Sequence, residues 1–123
     1  MPDADTLRRT VERYVELMNA GDADGIAALY ADDATLEDPI GAPAQRGRAA
    51  ILAWYRASAG KVRLELTGPI RVAGAEAAFP MLGTLGAPAS PAYLDIIDVM
   101  KFDAAGRIAS MRAFWSADAI RKG

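Results

Sequence analysis

The first third of the chain has apolar residues at the spacing of two helices. Between residues 5 and 20 they recur at three- and four-residue steps, which predicts one face of an amphipathic helix. Asp3 or Asp5 can cap its start, and Gly21 can end it. The same spacing predicts a shorter helix over residues 22–31, so that the two form a helical hairpin. The inward positions of this pair are Leu7, Val11, Tyr14, Leu17, Met18, Ile26, Leu29 and Tyr30.

The rest of the chain predicts one more helix and a series of strands. A short strand over residues 34–38 stops at Pro39, and a loop at 40–47 leads to a third helix at 48–58, which Gly60 ends. Three helices followed by antiparallel strands predict an α+β fold, with the helices on one face of a curved sheet. The inward residues of the third helix are Ile51, Leu52, Trp54 and Tyr55. The later strands are expected at 62–66, 70–73, 77–85, 93–102 and 108–115, with a hairpin turn at 103–107.

An aspartate falls on the apolar face of the longest predicted strand. The side-chain period of two places Asp98 between Ile96 and Met100 on one face, and that face of the strand has no lysine or arginine. A carboxyl group buried without a cation should keep its proton, because burial penalises the charged form. Asp98 is therefore expected either to be a neutral hydrogen-bond donor, or to accept bonds from local backbone or pair with an arginine from elsewhere.

The short strand at 34–38 repeats this anomaly. Ala34, Leu36 and Asp38 share a face, while Glu37 faces solvent. Pro39 restrains the backbone of Asp38 toward extended geometry and so limits where its carboxylate can point. The pattern allows an inward-pointing functional carboxylate, but taken alone it favours an aspartate that caps a turn before proline.

Three tyrosines belong to the inward faces of the three helices, namely Tyr14, Tyr30 and Tyr55. A buried phenol must find a partner for its hydroxyl, so these groups can bond to one another. They can also be ordinary core aromatics, because most inward tyrosines are.

The amino-acid composition limits the kinds of catalytic group and metal site that the chain can contain. The chain has 123 residues, which fits one domain over residues 1–123, and it contains no cysteine and no histidine. These two absences exclude thiolate nucleophiles, disulfides, the usual zinc and iron-sulfur sites, and every imidazole-based triad. Proton transfer must therefore use carboxylates, phenols, lysines or backbone groups.

The charge balance argues against polyanionic partners. Lysine and arginine number 14 against 16 acidic residues, with no basic stripe, so nucleic acid is not expected as a partner. No apolar run approaches the ~20 residues of a membrane span, so no membrane association is expected and the expected location is the cytoplasm.

Two inward acids and an inward tyrosine, in a chain without histidine, resemble the bacterial ketosteroid isomerases. The resemblance spans nearly the whole chain, and the 31–35 element Ala-Asp-Asp-Ala-Thr is shared more widely with the superfamily of nuclear transport factor 2 and SnoaL-like cyclases. It implies a cone-shaped curved antiparallel (mixed) sheet with three helices packed on its concave face. The matching segments are 13–15, 19–22, 30–35, 37–39, 61–69, 94–100 with Phe102, and 110–113.

The resemblance also implies site residues and an activity. The family's general base falls on Asp38, its oxyanion-hole phenol on Tyr14 and its oxyanion-hole carboxylic acid on Asp98. In that family this acid is known to be protonated, so the resemblance implies a protonated Asp98. Tyr30 and Tyr55 match tyrosines that orient the catalytic phenol in some members. The implied activity is steroid Δ-isomerisation without cofactor or metal, in a homodimer formed through the convex face of the sheet.

The substrate is expected in a deep apolar slot. The residues assigned to it are Val11, Leu17, Phe79, Met81, Met100, Met111, Phe114 and Trp115. The segment 83–92 departs from the family pattern, which affects the rim of the slot.

Two other functions remain open at the level of sequence. A related cyclase or epoxide hydrolase would need a polar Asp-Arg-Asp arrangement, for which Arg13 and Arg112 are available, although periodicity gives no sign that they are buried. A non-catalytic carrier of apolar ligands would use the same fold without needing Asp38.

Overall fold

Helices form at all three predicted positions. A computed structural model describes residues 2–123, and in it the helices are α1 (Ala4–Ala20), α2 (Ala23–Ala27) and α3 (Arg48–Ser58). The carboxylate of Asp3 accepts the backbone N–H of Thr6 at 2.8 Å and caps the start of α1. Gly21 ends α1 with a φ of 70°, a left-handed conformation that favours glycine.

The second helix is shorter than its apolar spacing predicts. Asp22 caps α2, but the helix lasts five residues, and Leu29 then bonds back to the carbonyl of Ile26 in a turn. Tyr30 therefore begins a strand instead of ending a helix. The prediction of a helix over 22–31 is wrong beyond Ala27. Leu29 and Tyr30 have the spacing of an inward helix face, but Leu29 lies in the turn and Tyr30 in the strand.

Within residues 2–123, eight strands form one mixed sheet that does not close. The order is β2-β1-β7-β6-β5-β3, with β4 paired to β5 and β8 paired to β6. β1 and β7 run parallel, whereas the other pairings are antiparallel. The strands are β1 (Tyr30–Glu37), β2 (Gln45–Arg46), β3 (Arg63–Leu66), β4 (Arg71–Ala73), β5 (Glu76–Leu85), β6 (Ala92–Phe102), β7 (Ile108–Phe114) and β8 (Arg121–Lys122), with a 3₁₀ turn (Ala117–Ala119) before β8.

The helices pack on the concave face of this sheet, which gives an α+β fold. Inward side chains of α1 and α3 meet those of the central strands in one apolar core that includes Val11, Ile51 and Met100. Asn19 connects α1 to the sheet, because its side-chain amide bonds both the N–H and the C=O of Leu64. This clamp fixes the end of α1 over β3.

The face of the sheet opposite the helices is partly apolar. Ile97 on β6 and Phe114 on β7 are cross-strand neighbours, and they are 50% and 42% exposed. Both positions have the parity that faces away from the helices. Among residues 2–123, no helix is long and apolar enough to cross a membrane.

Candidate active site

A cavity of about 180 Å³ lies between the helices and the sheet. Its walls come from α1, α3, the strands β3, β5 and β6, and the segment after β7. The side chains around it are mostly apolar, with acids and phenols grouped among them. The lining residues are Tyr14, Met18, Asp38, Trp54, Tyr55, Ser58, Val62, Leu64, Met81, Leu85, Leu94, Ile96, Asp98, Trp115 and Ile120.

Asp98 is the buried acid of this cavity. The alternation of β6 turns it inward with Leu94 and Met100, as the sequence predicts, and it is 2% exposed. Its Oδ1 atom has no hydrogen-bond partner among residues 2–123. Burial raises the pKa of Asp98 well above the ordinary value for a carboxyl group, and the nearby charge of Asp38 raises it further. Both effects favour the neutral form of Asp98, and a neutral carboxyl group can donate a hydrogen bond into the cavity.

Asp38 directly follows β1 and faces the same cavity. Its Oδ1 atom accepts a 2.7 Å hydrogen bond from the indole Nε1 of Trp115, the residue that directly follows β7. Burial raises the pKa of Asp38, and the bond from Trp115 partly offsets this effect. The peptide bond between Asp38 and Pro39 is cis. The two aspartates thus differ in their surroundings, since Asp38 has a donor that favours the ionised form and Asp98 has none among the described residues.

Three phenols form a buried chain beside the acids. The Tyr30 and Tyr55 hydroxyls lie 2.6 Å apart, and the Tyr55 hydroxyl donates to that of Tyr14 at 3.4 Å. Because Tyr55 donates to Tyr14, the proton of Tyr14 is not used within the chain and is available to a ligand in the cavity. Burial raises the pKa of all three phenols well above 10, so they are neutral donors at pH 7.

The residues assigned to the slot from the sequence divide into three groups. Met81 and Trp115 line the cavity. Phe114 does not, because its position on β7 turns its ring to the opposite face of the sheet. The others are buried in the core and are not among the residues that line this cavity; they are Val11, Leu17, Phe79, Met100 and Met111.

Several lining residues were missed by sequence reasoning. Leu94 and Ile96 share the strand face of Asp98, so their parity was a usable signal. Trp54 lies on the inward side of α3, which was also visible. Ile120 carried no signal, because it reaches the cavity through the pairing of β8 with β6, far from any periodic segment. The rest of the missed wall is Met18, Ser58, Val62, Leu64 and Leu85.

The acids of the described chain are not arranged as a metal site. Among residues 2–123, no group of three or more Asp or Glu side chains lies close enough together to hold a metal ion. The cavity itself contains two carboxyl groups, from Asp38 and Asp98, in walls that are otherwise phenolic, indole or aliphatic apart from Ser58.

Residues 11–111 match the family model of the SnoaL-like domain. The chain belongs to the SnoaL-like family. Within this family it is 50% identical over 111 residues to a steroid Δ-isomerase of Nocardioides simplex, and the alignment covers 89% of both chains. Because this similarity covers most of both chains, the SnoaL-like chain is identified as an enzyme of the isomerase class.

Other SnoaL-like relatives catalyse different reactions. The chain is 34% identical over 119 residues to epoxide hydrolase LasB of Streptomyces lasalocidi, covering 91% of this chain and 42% of LasB. The solved structure of SalBIII, an epoxide hydrolase/cyclase-like enzyme in pyran ring formation of the polyether salinomycin, superimposes with a TM-score of 0.89. That pair is 27% identical, and the superposition covers 98% of each chain. The family therefore shares a scaffold that serves more than one reaction.

Proposed function

We propose that this SnoaL-like isomerase converts Δ5-3-ketosteroids to Δ4-3-ketosteroids by moving one proton within the substrate. The observation that carries the proposal is the grouping of two carboxyl groups and one phenol around a single apolar cavity: Asp38, Asp98 and Tyr14. The steroid Δ-isomerase of N. simplex supports the substrate class. The apolar walls suit a fused-ring hydrocarbon skeleton, and no cofactor takes part in the proposed reaction.

In the first step, Asp38 acts as the general base. Its carboxylate removes a proton from the carbon between the 3-ketone and the Δ5 double bond, and the electron pair moves toward the carbonyl oxygen to give a dienolate. The bond from Trp115 lowers the pKa of Asp38 against the effect of burial, and so favours the ionised form that a general base needs. A carboxylate of ordinary basicity suffices when the dienolate is strongly stabilised.

The second element is the oxyanion hole. Negative charge on the former carbonyl oxygen is stabilised by the Tyr14 hydroxyl and by the neutral carboxyl of Asp98, both buried donors placed before the reaction begins. The unpartnered Oδ1 of Asp98 supports this role, because a buried polar atom without a partner gains most from a bound ligand. The Tyr30–Tyr55 pair orients Tyr14 through the hydroxyl chain.

In the last step, protonated Asp38 returns the proton to the far carbon of the dienolate. The product is the conjugated enone, and Asp38 is ionised again, so protons and charge balance over the cycle. The same carboxyl must reach both carbons, which fits its position in the wall of the cavity.

The test is turnover of a Δ5-3-ketosteroid, followed by the ultraviolet absorbance of the conjugated enone. The wild-type protein should accelerate enone formation, and Asp38→Asn should nearly abolish it because an amide cannot act as the base. Glu37→Gln is the matched control, since this neighbouring acid lies outside the cavity. No acceleration by the wild-type protein, or full activity of Asp38→Asn, would reject the proposal.

Epoxide opening or cyclisation on another apolar substrate is the second candidate, because LasB and SalBIII are relatives. The arginines that such a site would need do not line the cavity. Arg13 pairs with Glu16 at 3.3 Å on the surface, and Arg112 lies over the Phe114 ring on the opposite face of the sheet. Turnover of an epoxide instead of a ketosteroid would favour this candidate. A carrier, in contrast, would bind steroid without turnover and without dependence on Asp38.

The proposed functional unit is a homodimer. Ile97 and Phe114 provide adjacent exposed apolar side chains on the face away from the helices, where a second copy would bury them. Ile97→Lys should then shift the protein from dimer to monomer in analytical ultracentrifugation. A wild-type protein that sediments as a monomer at micromolar concentration would contradict this assignment.

A further inference from the structure

The polar groups of the cavity are not all at its catalytic end. Four groups at that end influence one another through electrostatic interactions and hydrogen bonds; they are Tyr14, Tyr55, Asp38 and Asp98. Ser58 also lines the cavity, and its hydroxyl makes no hydrogen bond to any of these four among the described residues. Its place in the fold indicates a separate task.

The contacts that follow Ser58 in the chain lead to the end of the cavity away from Asp98. It is the last residue of α3, and its carbonyl accepts the N–H of Lys61 in the turn that leads to Val62. Val62 in turn packs near Gly83, where an added Cβ would be 3.3 Å from its Cγ2 atom. Gly83 pairs with Leu94, so Ser58 belongs to the end of the cavity lined by Leu94.

The length of the cavity follows from the strand that forms its floor. Leu94, Ile96 and Asp98 all line it and all face inward from β6. Leu94 and Asp98 are four residue steps apart along the extended strand, which is about 13 Å at the usual rise per residue. A fused four-ring skeleton with oxygen substituents at its two ends has a length of this order. A substrate whose ketone lies at Asp98 therefore places its far ring near Ser58.

The hydrogen bond of Ser58 determines which chemical group it can recognise. Its Oγ donates to the backbone carbonyl of Trp54 at 2.9 Å, so its one proton is already used. The lone pairs of the oxygen remain free to accept. A hydroxyl on the substrate can donate to them directly, whereas a ketone oxygen would need Ser58 to give up its bond to Trp54.

We infer that Ser58 is a specificity residue that accepts a hydrogen bond from a hydroxyl group on the far, five-membered ring of the substrate. This inference rests on the proposed ketosteroid activity and deepens it. The enzyme should therefore prefer a substrate with a hydroxyl on that ring over the otherwise identical substrate with a ketone there.

The experiment compares three Δ5-3-ketosteroids that carry a hydroxyl, a ketone or no oxygen on the five-membered ring. Ser58→Ala should lower kcat/KM for the hydroxyl substrate by about threefold to tenfold, which corresponds to one neutral hydrogen bond, through a higher KM. The other two substrates should change less than twofold. Ser58→Thr keeps the hydroxyl group and should keep the preference.

Binding of the Δ4-3-keto products should show the same pattern without turnover. Quenching of Trp54 and Trp115, both in the cavity wall, gives the dissociation constants. An equal loss for hydroxyl and ketone compounds in Ser58→Ala, or no loss for either, would overturn the inference. Absence of turnover in the wild-type protein would instead reject the proposed isomerase, while the binding constants would still decide the role of Ser58.

Discussion

The indole Nε1 of Trp115 donates a 2.7 Å hydrogen bond to the carboxylate of Asp38, across 77 residues of sequence. The register of β1 and β7 explains how they meet, since Glu37 pairs with Arg112 and the N–H of Ile40 bonds the carbonyl of Ala113. The two parallel strands thus end side by side and deliver both side chains to the cavity. A residue 77 positions further along the sequence therefore lowers the pKa of the proposed base.

Replacing this donor should move the pH dependence of activity. Asp38 works ionised, so kcat/KM falls as pH drops through its pKa, and the bond from Trp115 lowers that pKa. In Trp115→Phe the pKa rises, and the acid limb of the profile should move to higher pH by about one unit, the size expected for a hydrogen bond to a charged group. The measurement is kcat/KM between pH 4 and 8.

Trp54→Phe is the control for this experiment. Trp54 lines the same cavity, but it makes no hydrogen bond to Asp38 among the described residues. The acid limb should stay in place in this variant even if the rate changes. An unmoved limb in Trp115→Phe would show that the indole does not set the pKa of Asp38.

Asp98 should make stability depend on pH. Its pKa in the folded protein is raised above the unfolded value, so its contribution is full below about pH 4 and is lost as pH rises through the folded pKa. In that window the free energy of unfolding falls by up to about 1.4 kcal/mol per pH unit for one proton. Asp98→Asn removes this slope. In denaturant titrations from pH 5 to 8, the free energy of unfolding of the variant should therefore rise relative to that of the wild type as pH rises.

Asp38→Asn serves as the comparison in these titrations. The pKa of Asp38 is raised in the same direction but less strongly, so its replacement should flatten the curve by a smaller amount. A wild-type protein whose stability rises from pH 5 to 8 in parallel with Asp98→Asn would contradict a protonated Asp98.

The order of the hydroxyl chain predicts unequal effects of replacing Tyr55, its middle member, and Tyr30. Tyr55→Phe removes the hydrogen bond that lowers the pKa of Tyr14, so Tyr14 becomes a poorer donor and kcat should fall by about threefold to tenfold. It also leaves the buried Tyr30 hydroxyl unpaired, which should cost about 1–3 kcal/mol of unfolding free energy. Tyr30→Phe keeps the bond between Tyr55 and Tyr14 and should affect kcat less. Equal kcat losses in the two variants would show that the chain does not act through Tyr14.

The segment that contains Ile120 and β8 should control substrate affinity. Pairing of β8 with β6 holds Ile120 against the cavity, and Arg121 bonds Asp95 at 2.6 Å beside it. Ile120→Ala removes apolar wall, so KM should rise by about threefold to tenfold while kcat changes little. Arg121→Ala should have a smaller effect, because that ion pair is solvent-exposed. Lys122→Ala is the control. An unchanged KM in Ile120→Ala would show that Ile120 does not contact the bound substrate.

Strand parity was the most informative sequence signal. It predicted that Asp98 faces inward and that Ile97 does not, because alternation along an eleven-residue strand leaves little freedom. The bounds of α3 were also predictable, since apolar spacing and a following glycine coincide there. Tyr30 was placed on a helix because helical and strand patterns are indistinguishable over the few residues where the chain turns.

Parity cannot separate core from cavity. Both Met81 and Phe79 face inward on β5, yet one lines the cavity and the other is packed solid. The difference depends on which element lies opposite, and that depends on long-range packing. The parallel pairing of β1 with β7 was unpredictable for the same reason, because periodicity within a strand carries no information about its neighbour.

The position of β7 between β1 and β6 has a consequence for how the protein is made. A ribosome synthesises β1 and Asp38 long before β7 and Trp115, because Trp115 follows Asp38 by 77 positions in the sequence. Until β7 inserts, β1 and β6 cannot be joined in one sheet, and the long loop closure makes this step slow. Nascent chains that lack β7 would expose the edges of β1 and β6 and part of the apolar core, so the risk of aggregation lasts until β7 has been synthesised and inserted.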